Sequence, residues 1–199
     1  MASVLWTYAI VALDEAKARL GLGVATTYDT EVERMINEVS QAMETYCGRY
    51  FKERSGLSEF YSPNGGSILS LDHFPVTATT TFKIYVDADR DFGEDTLLDA
   101  DDYYLDLKTG VVKLIEGEFP AVPGSVKALY SAGFGSTAIP YDLRKACKRW
   151  VASVFAESKD HRQGLKSLSS GQGETTTYEL DEPPEGVVEI LNRYRKMNV

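Results

Sequence analysis

The sequence predicts an α+β protein in which a small helical bundle carries an inserted antiparallel β region. Two observations predict this class. Apolar residues recur at helical spacing near both ends of the 199-residue chain, and the middle consists of short β-branched and aromatic runs separated by turn residues. We therefore predict an N-terminal helical part over 1–56, a β region over 57–135 and a C-terminal helical part over 136–199.

The N-terminal part is predicted to contain one short and one long helix. The segment LDEAKARLGL at 13–22 has a small apolar face and a glycine near its end, which is typical of a short helix. A long amphipathic helix is predicted over 30–47, because apolar residues recur there at intervals of three and four. These residues are Val32, Met35, Ile36, Val39, Met43, Tyr46 and Cys47.

The β region is predicted to contain about six strands joined by short connections, which favours antiparallel pairing. The pair Asn64 and Gly65, between two apolar runs, predicts a hairpin turn. The segment DYYLDLKTGVVKLI at 102–115 predicts a second hairpin, which turns at Thr109 and Gly110. Further strands are predicted at 79–87 and 124–134.

Helical spacing returns at 139, where a wide apolar stripe predicts a second long helix. The following segment, 159–183, is rich in Gly, Ser and Thr and is predicted to be a flexible loop. A final helix is predicted around Val187, Ile190 and Leu191. Because no single helix can bury its own stripe, we expect the two long helices to pack against each other and against the last one.

The net charge of −9 is concentrated in one place. Residues 87–102 hold eight acids and one base, so the remainder of the chain sums to only −2. A surface that grips nucleic acid needs a basic stripe, and the sequence contains no strong one. The local basic run at 144–149 is interpreted as a solvated helix face.

Composition also excludes some classes of protein. No apolar stretch approaches the roughly 20 residues of a membrane helix, and the N-terminus lacks the pattern of a signal peptide, so no membrane partner is expected. Cys47 and Cys147 make neither a disulfide framework nor a CxxC zinc motif. We interpret them as buried thiols of a protein that is made in a reducing compartment.

The segment DADRDFGED at 87–95 resembles the start of a calcium loop, because Asp87, Asp89 and Asp91 alternate. An EF-hand also needs glycine at its sixth position and glutamate at its twelfth. Here the sixth position is Phe92, and the predicted flanking segments are strands. The three aspartates are therefore weak metal candidates, and a charged hairpin tip or acidic surface is the preferred interpretation.

Catalytic and cofactor-binding residues are not predicted. His73 precedes a predicted turn and His161 lies in the predicted loop, and neither has a nucleophile that can be argued to lie beside it. The sequence contains no P-loop and no dinucleotide-binding fingerprint. Carboxylates on a solvated tip lack the fixed separation that hydrolysis requires.

Four segments, taken in order, carry a resemblance to a known family. They are LDEAKARLGL, EVERMINEVSQAMETYCGRYF at 31–51, IPYDLRKACKRWVASVF at 139–155 and VVEILNRYRK at 187–196. In this order they resemble the head–tail connector proteins of tailed bacteriophages and gene transfer agents, which are also called adaptor or head-completion proteins. The segments GSILSLDHFPVT, DYYLDLKTGVVKL and VKALYSAGF resemble the β insertion of the longer members.

This resemblance implies a structural virion protein at the head–tail interface, made in the host cytoplasm, with no enzyme activity and no cofactor. Such proteins form a homo-oligomeric ring, commonly of about twelve subunits, beneath the portal protein at the capsid vertex. The ring extends the DNA channel and docks the tail or a stopper protein. DNA passes through without specific binding, which suits a neutral or acidic chain.

Candidate partner-binding residues lie near the C-terminus. The Gly/Ser-rich segment could order against a partner, and its apolar members are Leu165, Leu168, Tyr178 and Leu180. The basic residues Arg193, Arg195 and Lys196 either favour the end of the last helix electrostatically or meet an acidic portal surface. Two alternatives remain open: another virion assembly module such as a stopper or tail-completion protein, and a metal-dependent enzyme using the Asp87–Asp95 cluster.

Overall fold

The computed structural model describes residues 4–135, 137–159, 167–169, 175–177 and 183–196. Its internal contacts divide the chain into two compact units. The helical unit comprises 1–47 and 139–195, and the β unit comprises 48–138 and 196–199. The predicted α+β class is confirmed. The predicted three-part division into domains stays a prediction.

The helical unit is built from both ends of the sequence. Its helices are α1 (Leu13–Leu20), α2 (Asp29–Cys47), α3 (Tyr141–Lys159) and α4 (Glu185–Asn192). The long helices α2 and α3 pack against each other, and α1 and α4 each pack against both. This is the expected arrangement, since each apolar stripe needs another helix to cover it.

The stripes of the two long helices form the core of the helical unit. Their buried apolar residues are Val32, Met35, Ile36, Val39, Met43 and Cys47 on α2, and Leu143, Ala146, Cys147, Trp150, Val151 and Phe155 on α3. Cys47 and Cys147 are buried thiols, as predicted. Burial raises the pKa of the Cys147 thiol to about 12.

In its described residues, the β unit contains six strands in two antiparallel sheets. They are β1 (Arg54–Tyr61), β2 (Ile68–Ser70), β3 (Lys83–Val86), β4 (Tyr103–Asp106), β5 (Val111–Leu114) and β6 (Val126–Ala132). One sheet has the order β1-β6-β3 and the other β2-β5-β4. Side chains from both sheets share one apolar core, and Tyr130, Phe119, Leu71, Ile84 and Val112 are its largest fully buried members.

One of the two predicted hairpins is confirmed and the other is wrong. Strands β4 and β5 pair as predicted across Thr109 and Gly110. Strands β1 and β2 flank Asn64 and Gly65 but belong to different sheets, because β1 pairs with β6 and β2 pairs with β5. The turn residues reverse the chain as expected, with Gly65 at φ 88, but local turn chemistry does not choose the partner strand.

The segment 159–183 is not wholly the flexible loop that its composition predicts. Strand β7 (Ser167–Ser169) pairs with β8 (Thr175–Thr177) in a small antiparallel sheet. The β-branched run of threonines supplies strand propensity that the Gly/Ser content obscured. The other residues from 160 to 182 lie outside the described residues. Across the part of the chain that is described, no helix is both long enough and apolar enough to cross a bilayer.

Candidate interaction surfaces

The acidic segment, residues 87–102, connects β3 to β4. These strands lie in different sheets, so the segment is not the hairpin tip that the sequence predicted. It contains a short 3-10 helix at Glu94–Thr96, and the Leu98 N–H donates to the Ile84 carbonyl at 2.9 Å. Seven of its acids are exposed, namely Asp89, Asp91, Glu94, Asp95, Asp99, Asp101 and Asp102. The segment is thus a charged surface with an ordered backbone.

Asp87 organises the first half of the acidic segment. Its Oδ1 accepts the backbone N–H of Asp89 at 2.9 Å, and its Oδ2 accepts those of Asp91 at 2.8 Å and Phe92 at 3.0 Å. The hydrogen bonds from Phe92 and Asp89, followed by that from Asp91, hold the pKa of Asp87 below its ordinary value. The Asp87 carboxylate therefore binds the backbone of its own loop.

The weak metal candidates Asp87, Asp89 and Asp91 do not come together as a ligand set. Among the described residues, no group of three or more His, Cys, Asp or Glu side chains is arranged to hold a metal ion. Asp89 and Asp91 are exposed, and the backbone N–H of each donates a hydrogen bond to the Asp87 carboxylate. The alternation that resembled a calcium loop belongs instead to a turn that is closed by its first aspartate.

The same loop places an aromatic side chain on the outer face of the first sheet. Arg90 and Phe92 adopt left-handed backbone conformations, with φ of 66 and 53. The Phe92 ring lies 5.5 Å from the Phe60 ring, and the Lys127 ammonium lies 5.8 Å from the Phe92 centroid. These contacts compensate for a backbone conformation that non-glycine residues rarely adopt. Nothing in the local sequence predicted this pairing.

A buried polar cluster in the β unit was missed by the sequence analysis. Glu59 on β1 accepts hydrogen bonds from the hydroxyls of Tyr61, at 2.5 Å, and of Tyr130. Its other oxygen lies 3.1 Å from Nε2 of His73. The hydroxyls in turn accept the backbone N–H groups of Asp72 and His73. The cluster therefore joins β1, β6 and the turn that follows β2.

Burial and hydrogen bonding have opposite effects on the pKa of Glu59. Burial disfavours the charged carboxylate, but hydrogen bonds from His73, Tyr130 and Tyr61 together lower the pKa of Glu59 below its ordinary value. Burial raises the pKa of both tyrosine hydroxyls. Glu59 is therefore a half-buried carboxylate with three donors around it, which is how proteins accommodate such a group.

The pair Glu59 and His73 resembles an acid–base dyad, but its geometry is structural. Nδ1 of His73 accepts the backbone N–H of Tyr50 at 3.1 Å, so Nε2 carries the ring hydrogen and donates it to Glu59. The imidazole also stacks on the Tyr50 ring at 3.7 Å. Both ring nitrogens are engaged, so neither is available as a base. The inward position of Glu59, between Leu57 and Tyr61, was the only signal in the sequence.

The helical unit has a basic groove between α1 and α3, with a volume of about 530 Å³. Arg19, Lys145, Lys148 and Arg149 line it, and Glu15 is its acidic residue. The Glu15 carboxylate lies 3.7 Å from the Lys148 ammonium. Arg19, Lys145 and Arg149 are exposed, and none of them pairs with a carboxylate elsewhere in the described chain. This groove lies along part of the basic run that the sequence analysis interpreted as a solvated helix face.

The second sheet presents two large apolar side chains to solvent, one on each side of a lysine. Ile68 and Tyr104 both lie opposite Lys113 in the sheet register, so the three side chains form one row across the exposed face. Ile68 is 52% exposed and Tyr104 is 66% exposed. Ile115, two residues after Lys113, is also exposed. Large apolar side chains grouped on a surface are typical of a contact region.

The predicted partner-binding residues have different surroundings. Arg193 follows α4 as its C-cap residue, and the Arg195 guanidinium lies 5.7 Å from the Tyr46 ring centroid. Lys196 forms an ion pair with Asp72. Of the four apolar candidates, the backbone of Leu168 lies in β7, while Leu165, Tyr178 and Leu180 lie outside the described residues. The partner-binding role of these residues stays a prediction.

Comparison with known families identifies the class of protein. The model of the head completion protein family matches residues 9–197, which is nearly the whole chain. The chain therefore belongs to the head completion protein family, and the predicted relationship is confirmed. Proteins of this class are structural components of virions that connect head and tail. No protein of curated function matches the chain.

Three chains of solved structures have the same fold. One is from the virion of a native gene transfer agent (GTA) particle, at 21% identity and a TM-score of 0.61, covering 100% of this chain and 96% of that one. A second is from the neck of an empty GTA particle computed with C6 symmetry, at 19% identity and 0.60, covering 99% and 94%. The third is from the neck of a native GTA particle computed with C12 symmetry, at 20% identity and 0.55, covering 95% and 94%.

Proposed function

We propose that this head completion protein forms a ring beneath the portal protein, where it extends the DNA channel and docks the tail or a stopper protein. The observation that carries the proposal is the family match over residues 9–197. The shared fold with neck components of gene transfer agents supports a position at the head–tail interface. Cyclic symmetry in those necks supports a closed ring of about twelve copies.

The charge of the chain suits a conduit for DNA. A wall that bound phosphate through many Lys and Arg side chains would hold the duplex with salt-dependent affinity. The net charge is −9, so the chain as a whole repels phosphate. We infer that DNA passes through the ring without specific binding and that the protein has no catalytic activity.

We also propose that the C-terminal part contacts neighbouring proteins of the virion. The candidates are Leu165, Leu168, Tyr178, Leu180, Arg193, Arg195 and Lys196. Arg193 and Arg195 are exposed, so they are accessible to an acidic portal surface. Substituting Arg193 and Arg195 together by Ala should weaken portal binding strongly but lower the thermal unfolding temperature only slightly, through the lost contact between Arg195 and Tyr46.

The oligomeric state tests the proposal directly. The purified chain should form rings of about a dozen subunits, alone or after its portal is added, by mass photometry and negative-stain imaging. A chain that stays monomeric with its own portal present, but binds a preformed connector ring, would instead be a stopper. Calorimetry with Ca²⁺ and Mg²⁺ tests the metal-enzyme alternative, and we expect no binding heat, because Asp87 is engaged with its own backbone.

A further inference from the structure

We propose that the basic groove of the helical unit binds the acidic segment 87–102 of a neighbouring copy of this chain. The inference rests on the proposed function, because it identifies the two surfaces through which copies would meet in a ring. A cyclic ring needs a head-to-tail interface, in which each subunit presents two different and complementary surfaces. The chain offers one strongly basic and one strongly acidic surface, on different units.

The basic groove has unused capacity for carboxylates. The Glu15 carboxylate forms ion pairs with Lys148 at 3.7 Å and with Arg144 at 3.4 Å. Arg19, Lys145 and Arg149 are exposed, and the described part of the chain provides no carboxylate within ion-pair distance of them. Guanidinium groups favour carboxylates because they donate two parallel hydrogen bonds to them. The groove is therefore suited to an acidic peptide segment.

An aromatic side chain borders the same groove. Tyr141, the first residue of α3, is 70% exposed, and its ring lies 6.0 Å from the Lys148 ammonium. Tyrosine at an interface contributes contact area and a hydroxyl at a small cost in side-chain entropy. A large exposed ring beside several cations is the composition expected of a surface that another protein covers.

The acidic segment is prepared for binding because its backbone is already ordered. Three backbone N–H groups are held by Asp87, and the Leu98 N–H donates to β3 at the Ile84 carbonyl. Phe92 is fixed on Phe60. The exposed acids therefore keep their positions before association, which reduces the entropy cost of binding. A flexible tail of the same charge would lose more conformational entropy on binding.

A second copy fits the groove better than nucleic acid does. The acidic segment carries a net charge of −7, and the run 144–149 carries four bases and no acid. DNA would have to approach a chain of net charge −9 and a groove that already contains Glu15. Electrostatic complementarity of this kind mainly sets partner choice and association rate, so we expect assembly to weaken as salt rises.

Charge reversal in trans tests the inference. The acidic-side variant is Glu94→Lys with Asp101→Lys, and the basic-side variant is Lys145→Glu with Arg149→Glu. All four side chains are exposed, and the Arg149 guanidinium lies beside Gly186 of α4, so the fold of the basic-side variant must be checked. Each variant alone should self-associate more than about tenfold more weakly than the wild type, because the acidic segment falls from a net charge of −7 to −3, or the basic run 144–149 from +4 to 0.

Mixing the two variants should restore assembly. In an alternating ring, the substituted positions of one variant then meet the substituted positions of the other with opposite charges, and the second contact of each pair is the native one. The rings should contain the two variants in equal amounts, which native mass spectrometry measures. The four substitutions in one chain should also restore self-association. If the mixed double variants fail to form rings although the fourfold-substituted chain forms them, the inference is wrong.

Matched control variants separate this contact from a general effect of charge. Glu53→Lys with Glu189→Lys, and Lys83→Glu with Lys108→Glu, alter the net charge equally at exposed positions outside both surfaces. These variants should assemble like the wild type. If the reversed groove leaves assembly intact but abolishes binding to a duplex DNA probe, the groove is a nucleic-acid site and the inference is wrong.

The two proposals fail in distinguishable ways. If the wild type does not form rings even with its portal, the proposed function fails. If the wild type forms rings, and both double variants form them equally well at low salt, only the inference about the surfaces fails. Circular dichroism of each variant confirms that the substitutions leave the fold intact.

Discussion

The helical unit and the β unit of this protein bury their polar groups in different ways. In the helical unit, Ser40 is fully buried and its hydroxyl accepts the backbone N–H of Ile10, while the core around it consists of two apolar stripes. In the β unit, Glu59, His73, Tyr61 and Tyr130 form one connected cluster beside the apolar core.

This difference has consequences for stability. The stabilisation from an apolar stripe is spread over many contacts. Each substitution therefore lowers the free energy of unfolding by an amount that depends on the cavity it leaves. A connected polar cluster concentrates its dependence on one acceptor, because removal of that acceptor leaves several donors without a partner. The following predictions compare the two kinds of core, from the largest expected effect to the smallest.

Substitution Leu143→Ala should cause the largest loss. Leu143 is fully buried on α3, where it faces the other stripe, so truncation should lower the free energy of unfolding by about 2–5 kcal/mol. Urea unfolding followed by circular dichroism at 222 nm measures the loss. The control Tyr141→Ala removes an exposed side chain from the same helix and should change stability by less than about 0.5 kcal/mol. Equal effects of the two would contradict tight packing of the stripes.

Substitution Glu59→Gln should destabilise the β unit by about 1–3 kcal/mol. The amide keeps the shape of the carboxylate but offers fewer acceptor sites, so a hydroxyl of Tyr61 or Tyr130 is left without its acceptor. Near-ultraviolet circular dichroism reports on these tyrosines during unfolding. Glu53→Gln, at an exposed position close by, should have no measurable effect. If Glu59→Gln does not change the free energy of unfolding, the hydrogen bonds accepted by Glu59 contribute nothing measurable to stability.

The stability of the β unit should also depend on pH through Glu59. Its pKa is lowered in the folded state from an ordinary value of 4.5, so the folded state binds the proton more weakly than the unfolded state does. The stabilisation is therefore complete above about pH 4.5 and disappears as the pH falls through the lowered pKa. The difference in stability between wild type and Glu59→Gln should shrink across that window. A difference that stays constant down to pH 3 would contradict the role of Glu59.

Substitution Asp87→Ala should have the smallest and most local effect. It removes the acceptor for the backbone N–H groups of Asp89, Asp91 and Phe92, all of which lie near the surface. Hydrogen exchange of those three amides should accelerate, while the global unfolding midpoint should hardly move. Asp95→Ala in the same segment should leave the exchange rates unchanged. Unchanged exchange in Asp87→Ala would contradict the role of Asp87 in ordering the loop.

The helical unit was largely predictable from the sequence, whereas the β unit was predictable only in class. The spacing of Val32, Met35 and Ile36 predicts a buried helix face, and all three residues are buried in the structure. The turn at Asn64 and Gly65 was recognised, but its strands joined different sheets. The aspartates were interpreted as a charged hairpin tip or acidic surface in preference to a metal site, but the turn that Asp87 closes was not predicted.

By itself, the sequence determined the α+β class, the two long helices and their buried faces, because helical amphipathicity is written in residues that are near neighbours in the chain. Only the tertiary structure decided which strands pair, that Glu59 meets His73 and Tyr130, and that the acidic segment is held against its sheet. These contacts join residues that are distant along the chain. Strand pairing depends on the register and packing of the whole sheet, which no short window of sequence contains.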